Sequence, residues 1–307
     1  QRNRFTAFLM FKSLIRTFAI VAAFIAGYMM PGLHVYSWMF KWMLIVMLFV
    51  TFLGIRFKRM KPERAHWLLT GANLMVALAA WGVCRLVFGD GYLAQAAFFV
   101  GIMPTATAAP VVMGLLGGSV EFMLTALLLI NGIICALLPF ILPAVVGRGG
   151  FEIYLNVAQN ISLVMLLPLA LALAARRFYP RAIAWPRKLK DVTFGIWVVI
   201  LVLIAANASY DISSREGISE RVLEQIGVIA LLVCGVNFGL GYLLGGRTRA
   251  AECSQALGQK NTTLSIYLAL TYASPIAALG PTFYVLWHNL WNAWQLYRAS
   301  ERKRRDG

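Results

Sequence analysis

The sequence predicts an all-α polytopic membrane protein: ten transmembrane helices in two inverted five-helix repeats, with broken, crossing helices at positions four and nine. Three observations carry that prediction. Apolar runs long enough to cross a bilayer recur along the whole chain. Clusters of Lys and Arg occupy alternate links between them. The fourth and ninth runs are interrupted at membrane depth, one by prolines and the other by polar residues.

Composition agrees. Of 307 residues, 60% are hydrophobic and 13% charged, with mean hydropathy +0.73. A soluble domain is nearer half apolar and a quarter charged. The ten-residue alternation of a β-barrel is absent. The net charge of +16 does not point to nucleic acid, because the basic residues fall in short clusters between apolar runs. Cys84, Cys135, Cys234 and Cys253 lie in or beside apolar segments without CxxC spacing. Neither a disulfide nor a metal site is expected, and no cofactor. The sequence begins at Gln1, and no cleavable signal pattern is read from it.

In order, the spans are read at 14–31, 37–57, 66–88, 92–117, 119–146, 153–176, 193–210, 222–245, 250–272 and 276–298. The link RFKRMKPER at 56–64 carries five positive residues, RRFYPRAIAWPRKLK at 176–190 carries six, and Arg298 to Arg305 carries five. They alternate with sparse links such as PGLHVYS and ASPIAALG. Cytoplasmic termini place nearly every cluster on the cytoplasmic side. The expected location is therefore the cell membrane, as a multi-pass protein of a bacterial inner membrane. The chain divides near Gly147–Gly150 into repeats 1–147 and 148–307. Five spans per half force the halves into opposite orientations, which is a transporter architecture. The halves share little sequence identity.

Span four reads GIMPTATAAPVVMGLLGG from Gly101. Pro104 and Pro110 bracket small residues and should open the helix, since proline lacks an amide donor and clashes with the preceding turn. Thr105 and Thr107 add hydroxyls there; the plainer alternative is two ordinary proline kinks. Span nine reads AECSQALGQKNTTLSIYLALTY from Ala251. Its stretch Gly258 to Thr263 is polar and glycine-led. If the two breaks cross, four half-helix ends meet near the midplane, N-terminal ends favouring anions and C-terminal ends cations. Lys260 lies in the second break. An ammonium at membrane depth costs about 3 kcal/mol on insertion scales and roughly 10 or more in simulations, so it marks a functional site by default.

Over its full length the chain resembles the bile acid:sodium symporter family. The resemblance rests on the ten spans, PxxTAxxxxM at 104–113, GxxN at 258–261, WHN at 287–289 and Pro168 in span six. It implies a panel domain of spans 1, 2, 6 and 7, and a core domain of spans 3–5 and 8–10. It implies alternating-access transport of a small organic anion bound between the two. Carried over by position, Thr107, Asn261, His288 and Asn289 are implied to lie close to substrate. Thr105, Lys260 and Thr262 complete the expected substrate-binding set.

The departures from the family pattern concern sodium. A glutamate two residues before the glycine of span nine is Ala256 here, and a glutamine two residues after it is Lys260. A serine–asparagine pair becomes Ala109-Pro110. A glutamine of span three falls near Met75, with Asn73 close by. A threonine of span five falls near Asn131. Losing a carboxylate and gaining an ammonium changes the fixed charge by about +2, roughly what two bound sodium ions supply. The expectation is a sodium-independent transporter in which Lys260 replaces the coupling cation. A lysine that sheds its proton would make H+ the coupled ion. Asn131 and Glu252 complete the expected ion-coupling set. A sodium-coupled symporter with relocated ligands and a non-transporting sensor are the alternatives.

Blander readings stand beside these. Lys260 can snorkel toward the Arg249 end. Glu252 is either a shifted carboxylate pairing with Lys260 or a solvated residue at a helix start. His288 and Asn131 serve equally as interhelical hydrogen-bonders. Glu121 suits a helix N-terminus. Trp185, Trp287 and Trp294 read as interface anchors or packing. An enzyme is not expected: no nucleophile–base pair or acidic metal cluster is apparent at depth, and His34, His66 and His288 are far apart. A cation/proton antiporter would need a mid-membrane aspartate, which is missing.

Overall fold

A computed structural model describes residues 18–19, 21–55, 61–89, 91–147, 150–214 and 220–305. The start of the first expected span, residues 56–60 of the first basic link and residues 148–149 of the boundary between halves lie outside the described residues. The rest is an all-α bundle. In chain order it contains α1 (21–29), α2 (Met39–Leu53), α3 (Arg64–Phe88), α4 (Tyr92–Ile102) and α5 (Ala109–Leu116). There follow α6 (Val120–Val145), α7 (Phe151–Phe178), α8 (Trp185–Lys188), α9 (Lys190–Ser214), α10 (Glu220–Gly258), α11 (Thr262–Tyr272) and α12 (Pro275–Arg305). Among the described residues, five stretches are long and apolar enough to cross a membrane: α3, α6, α7, residues Lys190–Tyr210 of α9, and α10.

Local chemistry sets the ends. Ser119 caps α6, its hydroxyl accepting the Phe122 amide at 3.2 Å, which satisfies one of the orphan donors of a first turn. Glu121 stands in that turn, as its charge favours. α3 begins at a capping box in which Glu63 N–H donates to His66 Nδ1 at 2.8 Å. His66 therefore carries its proton on Nε2, which donates to the Phe122 carbonyl at 3.1 Å. α10 is two helical stretches joined at a kink. Gly246 there has φ +57°, a left-handed conformation that glycine adopts without a Cβ clash, and Arg249 is also non-helical. That kink separates the regions read from sequence as spans eight and nine.

Two groupings of contacts run through the bundle. α3, α4, α6, α10, α11 and α12 pack on one another, and α2 packs on α7, α8 and α9. They meet where α6 touches α7, α12 touches α9 and α11 touches α2. The first grouping carries nearly all the buried polar side chains of the site described below. Outward faces are apolar: Phe140, Leu166, Leu232 and Leu243 are each more than half exposed. Unpaired apolar side chains in that number suit lipid, not water. The four thiols are free and buried. Trp287 packs inward, donating to the Gly227 carbonyl at 3.1 Å. Trp185 packs against Tyr179 with the rings tilted by 51°, and Trp294 is half exposed under Arg298.

Candidate functional site: a sealed crossover of two broken helices

Both breaks occur where the sequence places them. α4 ends at Ile102, one residue past Gly101, and the chain stays non-helical through 103–108 until α5 resumes at Ala109. Pro104 follows the C-cap; Pro110 sits in the first turn of α5, where a missing amide costs nothing. The prolines therefore end one helix and start another, instead of kinking a continuous one. α10 ends at Gly258, residues 259–261 are non-helical, and α11 starts at Thr262 with Asn261 as its cap. Asn261 Oδ1 accepts the Leu264 amide at 3.4 Å.

The two breaks pair with each other. Thr105 and Lys260 form an antiparallel bridge. Ala106 N–H donates to the Gln259 carbonyl at 2.8 Å, and Asn261 N–H donates to the Pro104 carbonyl at 2.8 Å. Backbone groups released by the breaks thus satisfy one another inside the protein, the condition for irregular chain at membrane depth.

The remaining orphan carbonyls at the two helix C-terminal ends take side-chain donors. Thr105 Oγ1 donates to the Ala256 carbonyl at 2.7 Å, and the Tyr284 hydroxyl to the Gly258 carbonyl at 2.7 Å. Ser265 Oγ donates to the Phe99 carbonyl at 2.6 Å, and Asn73 Nδ2 to the Ile102 carbonyl at 3.2 Å. Lys260 completes the set. Its ammonium donates to Asn73 Oδ1 and to the Gly101 carbonyl at 3.4 Å. Partial negative charge gathers at helix C-terminal ends, so a cation is well placed at the end of α4.

Close backbone approach makes this geometry possible. A Cβ on Gly258 would run into the Phe238 ring, and one on Gly101 into the α3 backbone at Ala77. The site is also sealed. Every residue from Glu252 to Ala269 is buried, and Lys260 is 1% exposed. Lys260 therefore does not snorkel. Among the described residues no carboxylate pairs with it.

Several expected site residues fall elsewhere in the scheme. Glu252 is neither solvated nor bonded to Lys260. It is buried, accepts from the Ser119 amide at 3.1 Å and lies 3.6 Å from the Arg249 guanidinium. The reason is the kink: it places Arg249 between Glu252 and Glu63, the latter at 2.9 Å, with the guanidinium over the Phe122 ring. Thr105 is buried and its one hydroxyl hydrogen is spent within the crossover, so it presents no donor to a substrate. Thr262 is buried in the first turn of α11. Asn289 donates one turn back along its own helix, to the Val285 carbonyl at 2.7 Å, and no described bond ties it to the crossover. His288 is buried edge-on to Tyr284, ring centroids 5.5 Å apart, and no described hydrogen bond ties its ring to the crossover.

Thr107 and Asn131 mark the open side. Asn131 is buried and donates to the carbonyls of Thr105, at 2.9 Å, and Leu127, at 2.7 Å. Thr107 is half-buried. Both line a cavity of about 280 Å³ between the first break, α2, α6 and α7.

Asn73 was expected only as a neighbour of Met75, and Ser265, Tyr284 and Asn237 were not expected at the site. Asn73 is inward and bonded, whereas Met75 is 58% exposed, so a two-residue step on α3 decides which faces the crossover. Tyr284 reads as one more aromatic of an apolar span. Asn237, which donates to the Tyr284 hydroxyl at 3.3 Å, is an amide inside the run LLVCGVNFGLGYLL, and that polarity was a legible signal.

No family model matches the chain, and no curated protein sequence matches it.

Proposed function

We propose that this protein is a secondary active transporter of a small organic anion, working by alternating access without sodium. Lys260 takes the place of the coupling cation. One observation carries the reading: a buried ammonium bonded to Asn73 Oδ1 and the Gly101 carbonyl at the paired breaks of two helices. A fold gains nothing from an ammonium that meets no carboxylate in an apolar interior unless the charge has a task. Here it sits against the C-terminal end of a half-helix, where a metal cation would otherwise be welcome.

The reading includes the finer architecture expected from sequence: ten spans as two inverted repeats, cytoplasmic termini, and a panel moving against a core. The two contact groupings support that division, and the crossing breaks support the repeat, since each interrupts the fourth span expected in its half. The positive centre favours an anionic substrate on the open side, at Thr107. Loss of the Lys260 proton in one half of the cycle would make H+ the coupled ion.

The test is uptake into proteoliposomes with sodium replaced by choline, using a mixture of radiolabelled short carboxylates. Undiminished uptake is expected. A strict sodium requirement would reject the replacement and favour a symporter with relocated ligands. Saturable binding without flux would favour the sensor.

A further inference from the structure

Buried polar atoms without a partner gather along one seam inside the first grouping. Among the described residues, four of them lie on α10 or α12: Asn237 Oδ1, Gln255 Oε1, Gln259 Oε1 and His288 Nδ1. Asn261 Nδ2, on the α11 cap, is the other. Native interiors leave few such atoms, so a gathering on two packed helices calls for a reason.

Contacts between the helices give the seam its order. Gln255 Nε2 donates to Asn292 Oδ1 at 3.0 Å and to Gln295 Oε1, whereas the Tyr284 hydroxyl donates to the Gly258 carbonyl at 2.7 Å. Later residues of α10 therefore meet earlier residues of α12, and the two run antiparallel. His288 is one turn from both Tyr284 and Asn292, so it falls between those contacts, at the height of Gln255 to Gly258. Gln259 stands one turn past Gln255, its amide still bonded to the Gln255 carbonyl at 3.0 Å. The polar file thus runs Gln295, Asn292, Gln255, His288, Gln259, Tyr284, from the basic end of α12 inward. Gln295 is half-buried and the others are buried. Asn237 joins the inner end through the Tyr284 hydroxyl. Cys234 packs with Tyr284 and interacts with the Lys260 charge, so that end neighbours Lys260.

The occupant of such a seam must donate to amide oxygens, which only accept, and must suit an imidazole nitrogen. Water does both. A metal ion would meet the Lys260 ammonium without a carboxylate to balance it: Glu252, the acid of this stretch, is held by Arg249 and Ser119. α4, α5 and α11, which also pack on α12, carry no charged residue.

We propose that the α10–α12 seam holds a file of internal water, from Gln295 to Tyr284, through which Lys260 exchanges its proton with the side of the membrane at the basic end of α12. Lys260 is otherwise enclosed. Its described bonds go to an amide oxygen and a backbone carbonyl, neither of which is a base. On release the ammonium N–H bond breaks, the electron pair stays on the amine, and the proton passes to water and outward along the file. As a hydrated seam the file stands on geometry; its service to Lys260 rests on the transporter reading.

The test exposes the full chain in nanodiscs to millisecond X-ray pulses, which turn bound water into hydroxyl radicals that label adjacent side chains. Mass spectrometry gives each residue's rate relative to the denatured chain. Tyr284, as fully buried as Phe98 and Phe99, should label at least about tenfold faster than they do, because water partners its surroundings. Gln259→Leu should cut that labelling by about fivefold, and should slow carboxylate uptake driven by an imposed pH gradient in proteoliposomes to a similar extent. Gln259→Ser, whose hydroxyl holds water in place of the amide, should restore part of both. Gln255→Leu is a second variant with the same expectation. Tyr284 labelling no faster than that of Phe98 overturns the water file. Labelling with gradient-driven uptake that neither leucine variant slows overturns the proton route. Labelling without uptake under any gradient rejects the transporter reading and leaves the file; gradient-driven uptake without labelling rejects the file alone.

Discussion

The two breaks in this bundle are opened by different chemistry and face different surroundings. The first, at 103–108, is set by two prolines and small residues, and it turns Thr107 and Ala108 toward open space. The second, at 259–261, is set by a polar triplet and is buried throughout. Proline needs no partner to stop a helix, so the first break can stand beside a cavity. At the second break, backbone bonds to Pro104 and Ala106 and the bonds of the Lys260 ammonium to Asn73 and Gly101 stand in for helical ones, and the groups that make them enclose it. One break is therefore suited to meet ligand and the other to hold charge.

Substitutions can break or sharpen that contrast. The largest effect is expected from Gly101→Ala, just before the first break, where the new methyl meets the backbone of α3 at Ala77. Backbone cannot rotate aside, so a loss of about 3 kcal/mol or more is expected, read as a lower unfolding temperature in detergent. Lys260→Met comes next. It leaves Asn73 Oδ1 and the Gly101 carbonyl without a donor, at about 1–3 kcal/mol each, and should also abolish uptake. A higher unfolding temperature would mean that relief from burying the charge outweighs its bonds, and the structural half of the proposal would fall.

Gly258→Ala, before the second break, should cost about 1–3 kcal/mol. Its obstacle is a ring, so Phe238→Leu in the same chain should recover part of the loss. No such partner exists for Gly101→Ala, and equal rescue at both sites would erase the distinction. Thr105→Val removes the bond to the Ala256 carbonyl and should cost about 1 kcal/mol. Thr107→Val, two residues on, should change stability by less than about 0.5 kcal/mol while altering ligand binding. If Thr107→Val instead destabilises as much as Thr105→Val, the first break is as sealed as the second.

Much of this was legible in the residues. Apolar runs gave the helices, because a chain this apolar must satisfy its backbone internally. Pro104 gave the first break and Gly258 to Asn261 the second, since each residue type acts on its own backbone. The roles of Glu252 and Thr105 were not legible. Helical spacing puts Glu252 about two turns before Lys260, but the kink at Gly246–Arg249 supplies it with Arg249 and Ser119 instead. Thr105 and Thr107 look alike in PTATAAP, and only the pairing of the two breaks decides that one hydroxyl is enclosed and the other open.

By itself, the sequence determined that the chain is helical and apolar, that two helices are interrupted, and that a lysine lies in one interruption. Each of these depends on residues within a few positions of one another. Only the tertiary structure decided that the interruptions pair, that Asn73 and not Met75 meets the lysine, and that Asn131 holds the Thr105 carbonyl beside an apolar cavity. Those outcomes depend on hydrogen-bond partners far apart along the chain, Lys260 and Asn73 being 187 residues apart. A donor in an apolar interior must take whichever acceptor the packing brings to it, and local sequence does not say which one that is.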